Sequence, residues 1–395
     1  MMKTESRTPA SGAASSSDAI KVMVVDDSAI VRGLISRILD SDPTLSVVAS
    51  VGNGQVALGV LERQEIDVVV LDVEMPVMDG MTALPKMLKL NPSLQVIMAS
   101  TLTLRNAEIS MRALEAGAAD YIPKPTSTKD MTDEKDFREL LVAKVKALGA
   151  RRRTTGKRGS PASPSVARTT PSFSAGGGRA EVKAPVPIHG TSKIVLRNAS
   201  NEIPQVLAIG SSTGGPQALF AVLSKLRSDS ITQPVLITQH MPATFTTILA
   251  EHISRVSGWA AAEAKDGEVI KGKRVYVAPG DFHMIVESKG IDKVLRLTKT
   301  PPENFCRPAV DPMLRSVAQV WGKSALVCIL TGMGYDGMKG GQTIVSAGGT
   351  VIAQDEATSV VWGMPGAVAT AGLCSAVLPL PEIAPYLQKL MMKRS

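Results

Sequence analysis

The 395-residue chain is poor in aromatic residues, cysteine and long apolar runs, and each shortage narrows its possible classes. Aromatic residues make up 3% of the chain, too few for a surface on which nucleic-acid bases stack. Its three cysteines, Cys306, Cys328 and Cys374, are far apart, which fits neither a disulfide framework nor a zinc motif and favours a reducing cytoplasm. No apolar run approaches the roughly 18 residues of a membrane span, so we expect no membrane insertion.

Two segments lack the apolar periodicity of a folded domain. Residues 1–19 have no apolar centre, unlike a secretory signal, and are predicted to be a disordered tail. Residues 151–200 are rich in Ser, Thr, Pro, Gly and Arg and are predicted to be a linker. Between Arg151 and Arg197 there are ten basic residues and one acid, so the rest of this +8 chain is close to neutral. Basic charge in a solvated linker does not indicate nucleic-acid binding, although contact with an anionic partner is an alternative.

The remaining chain divides into two predicted α/β units, residues 20–150 and 201–395. Both alternate short apolar runs with stretches at helical spacing, which predicts mostly parallel sheets covered by helices on both faces. The predicted strands of the first unit are 21–27, 45–50, 67–72, 95–100 and 120–125. Those of the second are 206–212, 234–240, 274–281, 325–332 and 349–356, with a hairpin of 283–288 and 292–298.

Polar residues follow the strands of the first unit at the edge where open α/β sheets place their sites. Asp26 and Asp27 follow the first strand, and Asp72 ends the third; Ser100 ends the fourth strand, and Lys124 belongs to the fifth. Three neighbouring carboxylates repel one another unless a cation lies between them, and oxygen ligands suit Mg²⁺. A carboxylate beside Mg²⁺ can attack phosphorus and become an aspartyl phosphate, whose oxygens Ser100 and Lys124 could contact. The alternative is that these acids only cap strand ends or helix starts.

The motifs VVDDS, LDVEMPVMDG, MAST and YIPKP resemble those of the receiver domain of two-component response regulators. The resemblance implies a flavodoxin-like doubly wound parallel sheet, Asp72 as the phosphoacceptor and a histidine kinase as the phosphodonor. It also implies a Mg²⁺ site built from Asp26, Asp27, Asp72 and the backbone carbonyl of Glu74, and a switch role for Tyr121. A receiver is an input module, so we expect the output activity after the linker.

The stretch IGSSTGGPQA, residues 209–218, places a glycine-rich turn with adjacent hydroxyl groups between a predicted strand and a predicted helix. Its first part fits G-x-S-x-G, in which the central serine, Ser212, is a nucleophile beside the free N–H groups of a helix start. Ser211 is the alternative nucleophile. A phosphate cradle is the competing interpretation, but neither G-x-G-x-x-G nor the P-loop lysine is present in the turn.

A serine nucleophile needs a histidine base. His240 ends the predicted strand VLITQH and is therefore expected on the same sheet edge as Ser212, with His283 as the alternative. The other two histidines are His252, for which we expect an exposed helical position, and His189, which lies in the predicted linker.

The base also needs an orienting carboxylate beyond a strand end. Asp336 follows the predicted strand ALVCILTG through a glycine-rich turn, whereas Asp281 is an alternative that could equally form a turn. The resulting order Ser, His, Asp differs from the Ser, Asp, His order of α/β-hydrolases.

The second unit resembles the catalytic domain of bacterial chemotaxis protein-glutamate methylesterases, the CheB family. The motifs that carry the likeness are IGSSTGG, TQHMP, YVAPGDFHM, RPAVDPM, ILTGMGYDGM and VWGMPGA. The resemblance implies a triad of Ser212, His240 and Asp336, with backbone N–H groups of Thr213 and Met333 at the oxyanion. It implies a phosphorylation-activated serine esterase that hydrolyses glutamate γ-methyl esters, and deamidates certain glutamines, on the cytoplasmic helices of chemoreceptors.

Two other functions stay open on sequence alone. A transcriptional response regulator predicts a helix-turn-helix or a basic winged helix, whereas the second unit has many strands and little net charge. A nucleotide-dependent enzyme would use the glycine-rich turn to hold phosphate. For the esterase, we expect the unphosphorylated receiver to pack against the cleft that holds Ser212, and phosphate on Asp72 to favour opening.

Overall fold

The computed structural model describes residues 19–101, 103–124, 131–157, 194–226 and 231–392. Residues 1–18 of the predicted tail, and residues 158–193 of the predicted linker with His189, lie outside these ranges. None of the described helices is both long and apolar enough to cross a bilayer.

The first unit is a five-stranded parallel sheet flanked by helices. Its strands are β1 (Ile20–Val25), β2 (Leu45–Val51), β3 (Val68–Asp72), β4 (Gln95–Ser100) and β5 (Asp120–Pro123). Its helices are α1 (Ala29–Asp40), α2 (Gly54–Leu61), α3 (Gly80–Leu90), α4 (Leu104–Glu115) and α5 (Met131–Lys157). The strand order β2-β1-β3-β4-β5 is that of the flavodoxin-like doubly wound fold, which confirms the predicted fold class. The central strand β3 is buried along its whole length because helices cover both faces of the sheet.

Capping side chains fix the loops that follow these strands. Ser28, Asn53, Asp79 and Thr103 each accept a hydrogen bond from a backbone N–H in the first turn of the helix that they precede. Each of these helices starts shortly after the carboxyl end of a strand. The caps therefore hold in place the loops in which a site at the sheet edge is built.

Helix α5 continues seven residues beyond the boundary predicted at residue 150. Arg152 forms an ion pair with Asp67, and Nη2 of Arg153 lies 3.4 Å from the other carboxylate oxygen of Asp67. These two arginines hold the end of the helix against the receiver rather than belonging to a solvated linker. The start of the predicted linker at residue 151 is wrong for this reason, since the helix runs to residue 157 and Arg152 and Arg153 anchor it.

The second unit is a seven-stranded sheet whose neighbouring strands are all parallel. Its strands are β6 (Val206–Ser211), β7 (Val235–Gln239), β8 (Ala260–Glu263), β9 (Arg274–Val277), β12 (Ala325–Ile329), β13 (Thr350–Gln354) and β14 (Ala376–Leu378). Their order is β14-β13-β12-β6-β7-β9-β8. Its helices are α6 (Gly215–Leu223), α7 (Ala243–Ser257), α8 (Val310–Trp321), α9 (Met338–Ser346), α10 (Met364–Thr370) and α11 (Leu380–Met391), with a 3₁₀ turn at Gly322–Ser324.

A separate antiparallel hairpin confirms the pairing predicted for 283–288 and 292–298. It consists of β10 (His283–Lys289) and β11 (Asp292–Thr298), joined through Gly290 at φ 63°. The hairpin packs against α8, where Ser316 Oγ accepts a hydrogen bond from the backbone N–H of Val286.

The two units contact each other through α4 and β5 of the first and α6 and α7 of the second. The ring of Tyr121 stacks on the ring of Phe245, with centroids 4.3 Å apart and planes 11° apart. Glu115 Oε1 lies 2.5 Å from His252 Nε2. The exposed position expected for His252 is wrong: this histidine is 1% exposed, because the receiver covers that face of α7.

Candidate active site

The glycine-rich turn lies between β6 and α6, the strand–turn–helix context that G-x-S-x-G requires. Gly214 has φ 73°, and a Cβ at this position would lie 2.4 Å from Val360, so the turn requires glycine here. Ser211 is buried, and its Oγ donates a hydrogen bond to Oε1 of Gln239 at 2.7 Å. Ser212 is half-buried and its hydroxyl bonds to no other described residue, so of the two serines its hydroxyl is available for chemistry.

Three neighbouring strands carry the predicted triad. β6 lies between β7 and β12 in the sheet; Ser212 and His240 directly follow β6 and β7, and Asp336 lies in the turn after β12. The backbone N–H of His240 donates to the carbonyl of Ser211 at 3.1 Å. A Cβ at Gly332, in the loop that leads to Asp336, would lie 2.9 Å from Cβ of Ser212. The structure therefore brings the three residues to one edge of the sheet.

His240 and Asp336 are directly hydrogen-bonded. His240 Nε2 lies 2.7 Å from Asp336 Oδ2, and a carboxylate can only accept, so Nε2 carries a proton in this contact. The same carboxylate oxygen accepts the backbone N–H of Val310 at 2.6 Å. Nδ1 is consequently the ring nitrogen left to accept a proton from a nucleophile.

Asn304 and Asp311, which sequence reasoning did not assign, hold Asp336 in place. Asn304 Nδ2 donates to Asp336 Oδ1 at 2.8 Å and to Asp311 Oδ2 at 3.0 Å. The other oxygen of the buried Asp311 accepts the N–H groups of Gly337 and Gly340 at the start of α9. The motif RPAVDPM contains Asp311 and was a usable signal for it, whereas Asn304 lies in a loop without periodicity.

Cys306 is a further residue at the site that the sequence did not reveal. Its Sγ lies 3.3 Å from His240 Nδ1, on the ring nitrogen opposite the one that Asp336 contacts. The half-buried thiol thus contacts Nδ1 of His240, the atom that would have to accept the proton of a serine nucleophile.

The electrostatics of this cluster favour the charged forms of His240 and Asp336. Burial alone would lower the pKa of His240, but the sulfur of Cys306 and the carboxylate of Asp336 raise it to about 10. Burial alone would raise the pKa of Asp336, but hydrogen bonds from His240 and from backbone N–H groups lower it. Burial raises the pKa of the neighbouring Asp311. Each partner therefore favours the charged form of the other.

The backbone N–H groups of Thr213 and Met333 are available to a ligand. Neither donates a hydrogen bond to another described residue. Thr213 directly follows Ser212, and Met333 follows Gly332, whose backbone approaches Ser212 closely.

The alternative base and acid occupy structural positions. Both ring nitrogens of the buried His283 bond to the backbone, Nε2 to the carbonyl of Pro301 and Nδ1 to the N–H of Ala309. Asp281 is exposed in a turn at φ 65°. These contacts leave His283 without a nitrogen that could accept a proton from serine.

The receiver carries the predicted acidic cluster. Single carboxylate oxygens of Asp26, Asp27 and Asp72 lie within 4.8 Å of one another. Nζ of Lys124 is 2.6 Å from Oδ2 of Asp26 and 2.7 Å from Oδ1 of Asp72. Oδ2 of Asp26 is buried against the ammonium group of Lys124, so a bound cation would have to share or replace that contact. This all-oxygen donor set fits Mg²⁺.

Lys124 offsets part of the negative charge at this cluster. Burial raises the pKa of Asp72, and the ammonium group of Lys124 only partly opposes that effect. Burial alone would lower the pKa of Lys124, but its two carboxylate partners raise it. The lysine is thus held in its charged form.

The two remaining predicted residues lie around this cluster. Ser100 is buried, with its Oγ 3.1 Å from Oγ of Ser110. The side chain of Glu74 is exposed, 4.0 Å from Arg105, which leaves its backbone carbonyl as the atom for the predicted ligand role.

The fold and the two sites define a response regulator whose output domain is a parallel α/β unit with a serine, a histidine and an aspartate on one sheet edge. Residues 22–135 match the family model of the response regulator receiver domain, and residues 207–387 match that of the CheB methylesterase. The chain belongs to the CheB family of receiver-linked methylesterases.

Relatives match the whole chain. It is 63% identical over 382 residues, 95% of this chain and 97% of the relative, to "Protein-glutamate methylesterase/protein-glutamine glutaminase 1" of Paramagnetospirillum magneticum. It is 57% identical over 399 residues, 100% of both chains, to "Protein-glutamate methylesterase/protein-glutamine glutaminase of group 2 operon" of Rhodospirillum centenum. Neither the transcriptional nor the nucleotide-dependent alternative is favoured by these matches.

Solved structures match each unit separately. The CheB methylesterase catalytic domain of Thermotoga maritima is 40% identical, covers 47% of this chain and 98% of its own, and has a TM-score of 0.46. The response regulator domain of Thermotoga maritima CheB is 37% identical, covers 33% of this chain and 97% of its own, and has a TM-score of 0.31.

Proposed function

We propose that this protein is a phosphorylation-activated esterase that hydrolyses glutamate γ-methyl esters on the cytoplasmic helices of chemoreceptors and deamidates certain glutamines there. The observation that carries the proposal is the hydrogen bond between His240 and Asp336 on the sheet edge where Ser212 follows β6. The names of the full-length relatives support the choice of substrate. The protein acts in the cytoplasm, where such receptor helices lie.

Ester cleavage begins when Ser212 Oγ attacks the γ-carbonyl carbon. Nδ1 of His240 accepts the serine proton, and Asp336 stabilises the imidazolium that forms. The N–H groups of Thr213 and Met333 donate to the developing oxyanion. His240 then returns the proton to the leaving methoxide, so methanol departs and an acyl-enzyme remains.

Deacylation repeats these roles with water. His240 removes a proton from the water, the hydroxide attacks the acyl carbon, and Ser212 leaves with the proton returned to it. The product is a free glutamate. A glutamine follows the same path with ammonia as the first leaving group, and both reactions add a negative charge to the receptor helix.

The receiver supplies regulation through Asp72, the proposed phosphoacceptor for a histidine kinase. Asp26, Asp27, Asp72 and the backbone carbonyl of Glu74 would hold Mg²⁺, which neutralises negative charge on a phosphoryl group. Lys124 and Ser100 contact the phosphoryl oxygens. Phosphorylation must then compete with the bridge that Lys124 now makes between Asp26 and Asp72.

The contact between the two units supports regulation by occlusion. Helices α6 and α7, on which the receiver packs, start three residues after Ser212 and His240 respectively. Val360 lies against Gly214 and also packs on the apolar core of the receiver. Phosphate on Asp72 shifts the receiver away from this position and opens the cleft.

The esterase proposal is tested by methanol release. Ser212→Ala should lower the rate by about 10³-fold or more, since it removes the nucleophile. The matched control is Ser211→Ala, which deletes a buried hydroxyl of the same turn. Methanol release near the wild-type rate by the Ser212 variant would assign the nucleophile elsewhere.

A further inference from the structure

In the part of the chain that the structure describes, exposed aromatic side chains are few and lie near one place. Among the residues that the structure describes, Phe305 and Tyr335 are the aromatic side chains that lie largely in solvent, at 96% and 49% exposure. Single exposed aliphatic residues are common on protein surfaces and need no explanation. Two exposed aromatic residues beside the same pair of polar residues do need an explanation.

Both aromatic residues adjoin the His240–Asp336 pair. Tyr335 directly precedes Asp336 in the chain. Phe305 lies between Asn304, whose side chain bonds to Asp336, and Cys306, whose sulfur contacts His240. The backbone at both aromatic residues is thus tied to the catalytic cluster through its neighbours.

Folding alone does not account for a phenylalanine at position 305. Asn304 and Phe305 have φ values of 51° and 63°, a region that favours glycine and asparagine and is unfavourable for phenylalanine. The side chain of Phe305 gains no burial in return. A contact between this ring and a ligand would explain both the unfavourable backbone conformation and the exposure of an apolar side chain at a functional site.

We propose that Phe305 and Tyr335 form a binding surface, here called the aromatic rim, that packs against the receptor helix next to the esterified glutamate. This inference rests on the proposed function. A helix about 10 Å wide that presents one side chain to Ser212 necessarily brings its neighbouring side chains to the margin of the site. Aromatic rings contribute large contact areas with little loss of conformational entropy, so two of them suffice to orient a helix.

The aromatic rim contributes affinity for the protein substrate and not bond cleavage. A small ester reaches Ser212 without touching a ring that projects wholly into solvent. Loss of the rim should therefore raise KM for a receptor and leave turnover of a small ester unchanged. Phe305 is exposed while the receiver is packed on the catalytic unit, so the rim is available before activation.

The experiment compares two substrates with the full-length protein. One is a chemoreceptor cytoplasmic fragment methylated with a radiolabelled methyl group, and the other is N-acetylglutamate γ-methyl ester. The variants are Phe305→Ala, Tyr335→Ala and their combination, with Phe305→Asn as a form that suits the left-handed backbone. Ile291→Ala is the matched control, because Ile291 is also 96% exposed but lies at the tip of the hairpin.

We expect the double variant to raise KM for the receptor fragment about tenfold, and its kcat/KM for the small ester to change less than twofold. The Asn variant should behave like the Ala variant, and the Ile291 variant like wild type. An unchanged KM for the receptor, or an equal loss on both substrates, would overturn the aromatic rim. Wild-type protein that hydrolyses neither ester would instead refute the proposed function.

Discussion

At the scale of single residues, His240 is held by two partners with different consequences. Asp336 contacts Nε2 and orients the ring, whereas Cys306 contacts Nδ1, the nitrogen that must be free to accept the serine proton. In the proposed reaction Cys306 has to yield this nitrogen to Ser212. The sulfur of Cys306 and the carboxylate of Asp336 both raise the pKa of His240, so both partners influence the pH at which the ring can act as a base.

Replacing Cys306 should move the pH dependence of catalysis. The sulfur is one cause of the raised pKa of His240, so Cys306→Ala lowers that pKa. The base works only when deprotonated, and activity rises as pH passes upward through its pKa. The acidic limb of kcat/KM should therefore shift to lower pH in the variant, measured with a small ester across pH 5 to 10. An acidic limb at the wild-type position would show that the sulfur does not influence the base.

The residues of the candidate active site differ in how well their positions can be predicted from the sequence. Ser212, His240 and Asp336 follow buried apolar strands, and the strand-end rule places such residues on one edge. Asn304 and Cys306 belong to an irregular loop, and of its two left-handed residues only Asn304 is of a type that favours this conformation. Their approach to the pair is decided by three-dimensional packing alone.

At the scale of secondary-structure elements, most strands were predictable because their apolar runs are continuous. The two that were missed are β8, whose sequence AAAE has neither β-branched nor aromatic residues, and β14, which has three residues. The extension of α5 could not be predicted for another reason. Its arginines have the composition of a solvent-exposed linker, and their contacts with Asp67 are formed only in the folded structure. The α4–α7 contact likewise depends on tertiary packing, so the burial of His252 could not be predicted.

We expect helix α4 to contribute to the inhibition of the esterase by the unphosphorylated receiver. Glu115 reaches His252 across the interface, and Arg255 also contacts that histidine. Glu115→Lys would place a cation beside Arg255 and weaken the contact, so the unphosphorylated protein should release methanol several-fold faster. The control is Glu108→Lys, the same charge change at an exposed position of α4. Equal basal rates in both variants would argue against a role for this contact in inhibition.

At the scale of the whole molecule, the acidic cluster of the receiver and the proposed esterase site lie in separate sheets, with packed helices between them. Tyr121, which neighbours the strand end that carries Lys124, stacks on Phe245 of α7. Helix α7 in turn starts next to His240. One continuous set of contacts therefore joins the two sites.

The response to phosphorylation should require both Asp72 and a divalent cation. Acetyl phosphate with Mg²⁺ is expected to raise esterase activity of the wild-type protein, whereas Asp72→Ala should keep its basal rate and show no increase. Chelation of Mg²⁺ should abolish the increase in the wild-type protein and leave the basal rate, since the triad uses side chains alone. Full activation of the Asp72 variant by acetyl phosphate would disprove phosphorylation at this residue as the trigger.

The order of the units along the chain has a consequence during synthesis. The receiver ends at Lys157, so the ribosome completes it before β6 exists. Ser212 and His240 emerge next, but the carboxylate at position 336 belongs to the turn after β12, a strand that neighbours β6 in the sheet but is synthesised only after β7 to β11. A nascent chain consequently contains the complete receiver, the proposed inhibitory unit, before it contains all three residues of the proposed triad.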